Sequence, residues 1–170
     1  MNIEIKSVKF TKTVGHDLPS IACNIYLDNK KVGTFSDDGW GAGGYIKDLG
    51  TAASKSALTL IERWIQDTAP TVYLTKEKHG VDTHFPNSLS LHVSHMVNLY
   101  PIQKEAKRLQ KRVSILHEGE IFQWPAAHKV TMLNDPDYSL RNEICSMYKG
   151  AVFFADMTFD EACDNVRKYW

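Results

Sequence analysis

An α+β fold, with an antiparallel sheet packed against about four helices, is what this sequence predicts, and three observations carry it. Alternating apolar residues open the chain, stretches at helical spacing fill its middle and end, and turn chemistry separates neighbouring strands. The 170 residues match the usual size of one domain, and no Gly/Ser/Pro-rich linker divides them, so a single α+β domain over 1–170 is expected. With 43% apolar residues, the chain has enough to build a core and does not belong to the disordered class.

Taken in order, Ile3, Ile5, Val8 and Phe10 read as a strand whose alternation slips near Ser7, the mark of a β-bulge. Ile21, Cys23, Ile25 and Leu27 alternate with Ala22, Asn24 and Tyr26. Asp28-Asn29-Lys30-Lys31 then supplies a turn, and Val32 to Phe35 returns, giving an N-terminal meander with one face left to water. Residues 51–66 predict a helix with Ala53, Ala57, Leu60, Ile61 and Trp64 on its apolar face, stopped by Ala69-Pro70. Residues 72–74 are too short a run to assign, and 76–86 read as a polar loop.

Leu89, Val93, Met96, Val97 and Tyr100 fit a helix over 88–112, capped by Asn87 or Ser88 and kinked or broken at Pro101. Residues 113–124 predict a hairpin turning at Glu118-Gly119. A helix over 139–149 stops at Gly150, a short buried strand covers 151–155, and Thr158-Phe159-Asp160-Glu161 is a capping box opening the last helix.

The formal net charge is zero, so no global field draws the chain to DNA or a membrane surface. Bases exceed acids between Lys104 and Lys129 and acids exceed bases between Asp135 and Asp164, a separation that permits homo-oligomer formation. Cys23, Cys145 and Cys163 have no metal-type spacing and are expected as reduced thiols. The alternating N-terminus lacks a signal-peptide core, and no apolar run reaches membrane-spanning length, so a cytoplasmic protein is expected.

The one biased segment, 37–44, holds a G-x-G-x-x-G pattern at Gly39, Gly41 and Gly44. A dinucleotide site would need a βαβ context and a helix opening at the third glycine, and Asp37 and Asp38 would repel a phosphate. No cofactor is therefore assigned. The loop instead presents Trp40, a residue type enriched among interface anchors, and Asp37, Asp38, Trp40, Gly41 and Tyr45 form the candidate partner-binding surface. The competing reading folds Trp40 back onto its own domain.

A second candidate is the stripe Lys104, Lys107, Arg108, Lys111 and Arg112, which helical spacing places on one face with Glu105 the acid nearby. Such a face suits a nucleic-acid backbone or an acidic partner, against the alternative of a solvated helix surface. A third is the set His79, Asp82, His84, His92 and His95, from which a metal-dependent hydrolase would be built. It lacks H-E-x-x-H or any other established spacing, and no metal ligands are assigned. Hydrolase elbows and P-loops are absent too, and Glu118 and Glu120 read as solvated turn residues, so binding is favoured over catalysis.

The segments Met1 to Phe10, Cys23 to Gly33 and Asp38 to Tyr45 together resemble a group of small uncharacterised bacteriophage and prophage proteins, which pair a strand-turn-strand opening with a glycine-rich loop. The resemblance covers the first third of the chain. It implies genomic context: an accessory protein of a phage or mobile element, acting in the cytoplasm of a bacterial host by binding a host protein, with inhibition of a defence system as its sharpest form. Nucleic-acid binding through 104–112 is the alternative, and the hydrolase on His79–His95 the third reading.

Overall fold

The computed structural model describes residues 1–12, 18–40, 43–74, 83–135 and 140–169, with the side chains at 72–74 and 83–85 outside the description. Antiparallel sheets and four α-helices among the described residues make the fold α+β, as the sequence predicts. The chain divides into two compact units, Met1–Asn98 and Leu99–Trp170.

The first unit is built on β1 (Ile3–Thr11), β2 (Ser20–Leu27), β3 (Lys30–Asp37) and β4 (Tyr45–Asp48), hydrogen-bonded antiparallel in that order. Asp28 and Asn29 join β2 to β3 with φ of 46° and 67°, the two left-handed residues that a tight hairpin needs to match strand twist. The predicted bulge is present. The β1–β2 register shifts between Lys6 and Lys9, with Ser7 at φ 57°, and beyond it Val8 packs against the core.

Helix α1 (Ala52–Thr68) is capped by Thr51, whose Oγ1 accepts the Ser54 amide at 3.1 Å. Its buried face is Ser54, Ile61 and Ile65, while the predicted Leu60 points to solvent at 52% exposure. The face is rotated because Ser54 serves the cap: its hydroxyl donates to the Thr51 carbonyl and accepts from the Leu49 amide. β5 (Thr71–Leu74) and β6 (Thr83–Pro86) then pair antiparallel, so the end of the stretch read as a polar loop is a strand. Four-residue strands carry too little alternation to be read unpaired.

Helix α2 (Leu89–Gln110) begins where Ser88 Oγ accepts the Leu91 amide, one of the two expected caps. It runs on through Pro101 as one helix and ends before Lys111. Leu89, Val93 and Val97, four residues apart, join Cys23, Ile25, Phe35, Ile61 and Ile65 in the core of the first unit.

The second unit holds β7 (Ser114–His117), β8 (Glu120–Gln123) and β9 (Val152–Phe153) in the order β8-β7-β9, with α3 (Leu140–Met147) and α4 (Phe159–Tyr169). Glu118 and Gly119 make the predicted hairpin turn, both at positive φ. The predicted strand over 151–155 is shorter, because Phe154–Asp156 closes into a 3-10 turn. The capping box forms reciprocally: Thr158 N–H donates to Glu161 Oε2 at 2.8 Å, and Glu161 N–H to Thr158 Oγ1 at 3.3 Å.

Arg141 grips Asp156 through two parallel hydrogen bonds of 2.6 and 2.9 Å while its guanidinium lies over Phe153. Those hydrogen bonds hold the Asp156 carboxyl below its usual range. The stabilisation is therefore complete above the ordinary carboxylate pKa and is lost as pH falls through the lowered one. Asp156→Asn should flatten the acid limb of the stability curve, read from urea unfolding between neutral and acid pH, and by a modest amount because the pair is solvent-screened.

Candidate binding surface

The glycine-rich loop leaves β3 at Asp37 and re-enters the sheet at Tyr45. Its first half is shaped by its own acids. Asp37 Oδ1 accepts the Gly39 amide at 2.9 Å and Asp38 Oδ1 accepts the Trp40 amide at 3.0 Å, two successive Asx turns. The carboxylates proposed as contact groups thus set the loop's path.

Gly39 is buried at φ +82°, and a Cβ there would sit 2.4 Å from the Leu18 carbonyl oxygen. Gly44 packs against the end of the Phe35 ring, where a Cβ would come within 2.0 Å of Cζ. The Ser90 hydroxyl donates to the Gly44 carbonyl, tying the loop to α2. Two of the three pattern glycines therefore have packing reasons of their own, and the third, Gly41, lies outside the described residues.

The outcome is a tryptophan on display. Trp40 is 67% exposed and Tyr45 is 63% exposed. Leu18, whose carbonyl meets Gly39, and Phe10, in register through Ile21 with Asp37, are exposed large apolar side chains at the same end of the sheet. Sequence pattern marks Phe10 only as a strand residue and Leu18 not at all, since only the strand pairing brings them to the loop's end of the sheet.

An open groove of about 660 Å³ lies between β4, α1 and the start of α2, lined by Ile46, Leu58, Glu62, Gln66, Ser88 and Ser90. Two of its polar side chains are engaged in structure. Glu62 Oε2 accepts the Leu89 amide at 2.7 Å, and the Gln66 amide donates to the Asn87 carbonyl.

The basic stripe is less continuous than its spacing suggests. Lys104, Lys107 and Arg108 are on α2, but Lys111 falls in the following turn and Arg112 in a bridge to Lys129. Arg108 is held by Glu105 and by Gln123 Oε1 at 2.8 Å, which raises its pKa through the Glu105 hydrogen bonds. Lys107 lies over the Phe159 ring. Lys104, Lys111 and Arg112 remain exposed.

Of the histidine set, His79 and Asp82 and the side chain of His84 lie outside the described residues. His92 packs edge-on to Trp64, and burial, followed by repulsion from His95, lowers its pKa. Among the described residues no three His, Cys, Asp or Glu side chains converge on a metal-sized site. Burial pushes the Cys23 thiol up to about 11 and raises that of Cys163, so both act as packing groups, whereas Cys145 is exposed. No described helix is long and apolar enough to cross a membrane.

No protein-family model matches this chain, and neither a curated protein nor a solved structure matches it.

If the loop is seated as described, Gly44→Ala should cost about 1–3 kcal/mol in chemical denaturation, the range for overpacking a filled core. Gly39→Ala should be comparably destabilising, because strain at positive φ adds to the clash with Leu18.

Proposed function

We propose that this protein acts by binding another protein, through the rim formed by Trp40, Tyr45, Leu18 and Phe10. The observation that carries the proposal is a tryptophan 67% exposed at the end of two Asx turns, on a loop anchored at Gly39 and again at Gly44. Leaving such a side chain in water forgoes roughly 1.5–3 kcal/mol or more of burial, while a pre-set loop reduces the entropy lost on docking. Large apolar side chains exposed at one end of the sheet, Trp and Tyr among them, have the composition of an interface core.

The narrower reading, an accessory protein of a phage or mobile element directed at a bacterial host protein such as a defence component, rests on the N-terminal resemblance alone. The alternative surface at 104–112 is weaker on its own terms, since Arg108 is tied to Glu105 and Gln123.

Tagged protein used to capture partners from bacterial lysate, in nuclease-treated and untreated halves, should retain the same protein partner in both. Trp40→Ala should lose that partner, by 2 kcal/mol or more if Trp40 is a hot spot (~30-fold), with unchanged thermal unfolding. Loss of folding in Trp40→Ala, or retention of the partner, would contradict the proposal.

A further inference from the structure

The sheet of the first unit has two faces, and cross-strand register identifies the residues on each. One face, through Ile5, Cys23, Ile25, Phe35 and Ile46, packs into the core. The other is open. Ala22 is exposed although β2 is an interior strand, so among the described residues of this unit that face is uncovered there.

Two rows cross this open face. One runs Lys9, Ala22, Ser36, Tyr45, and the next runs Lys6, Asn24, Thr34, Lys47. A third begins Glu4, Tyr26, Lys31. The charges are one-sided. Lys6, Lys9, Lys31 and Lys47 are all exposed, and the sole acid in these rows, Glu4, is paired with Lys6 at 2.8 Å. The acids of the neighbouring turns and loop, Asp28, Asp37 and Asp38, lie outside the three rows, with Asp37 in register with core-face Ile21.

We infer that this open sheet face binds single-stranded nucleic acid, with the lysines on phosphates and Tyr45 stacking on a base. Strands lie about 4.8 Å apart, so three interstrand gaps set Lys9 and Tyr45 about 14 Å apart along one row. That span accommodates a short run of nucleotides laid across the strands. Between the charges, Ala22, Asn24, Thr34 and Ser36 offer a low polar floor with no bulky apolar group for a lipid or a protein core. Tyr45 is 63% exposed and supplies the π surface that single-strand platforms use without regard to base identity. A duplex hides its base faces, so it engages the lysines alone. This inference goes beyond the protein-binding rim and uses a different face of the sheet, with Tyr45 at their border.

Fluorescence anisotropy with labelled dT12 and rU12, over a salt series, tests the inference on the full chain. Wild type should bind either oligomer more tightly than a 12-base-pair duplex or heparin. Lys9→Glu with Lys47→Glu should weaken binding at least tenfold, and removing these two cations should reduce the salt slope by about 1.4. Tyr45→Ala should weaken binding about fivefold or more while leaving the salt slope intact. Trp40→Ala should bind as wild type, which separates this result from any failure of the protein-binding rim. Circular dichroism and thermal unfolding matching wild type would establish that the variants are folded. Absence of binding at low salt would overturn the inference. So would heparin binding as tightly as dT12, or loss of binding on Lys104→Glu with Lys111→Glu but not on the sheet variants.

Discussion

The seating of Gly44 on the Phe35 ring organises the first unit. Phe35 is 1% exposed, at the centre of the sheet's inner face, with Ile46 beside it in register on β4. A side chain at position 44 would collide with that ring, so the backbone itself closes the top of the core. Its carbonyl is then placed to accept from Ser90 at the start of α2, whose Leu89 and Val93 are buried in the same core. Loop, sheet and helix are thereby fixed by one close approach. The chain leading into Trp40 is held by the Asp37 and Asp38 turns and by the close seat of Gly39 against Leu18.

Much of this fold was legible in residue order because the relevant forces are local. A slip in alternation marked the bulge at Ser7, and turn residues at Asp28-Asn29 and Glu118-Gly119, which the structure holds at positive φ, marked the hairpins. The Thr158–Glu161 box satisfied the last helix's first amides as its spacing requires. What was not legible depended on partners distant in sequence. The β5–β6 pair has no signal until both strands are known to meet. The face of α1 turned because Ser54 was needed at a cap, which periodicity alone does not register. The stripe at 104–112 was read as one helical face, yet α2 ends at Gln110.

The same distinction governs the two surfaces. Trp40 and Tyr45 could be picked out from a glycine-rich stretch, since glycine signals close backbone approach and a tryptophan there demands a reason. Their neighbours Phe10 and Leu18 arrive from another strand and another loop. The lysine rows are invisible in sequence for the same reason: Lys6, Lys9, Lys31 and Lys47 come from three strands, and Glu4 is the one acid that register places among them. A neutral total charge is compatible with a one-sided sheet face once register sorts the residues.

Both the loop's seating and the binding surface require Trp40 to be held outward. Fluorine NMR of protein labelled with 5-fluorotryptophan, with Trp40→Phe assigning the resonance, reads this directly. A Trp40 signal with a large shift between light and heavy water, collapsing into broadened or multiple lines in Gly44→Ala, is the predicted result. A Trp40 signal indifferent to the solvent isotope would place the side chain inside the protein and contradict the account.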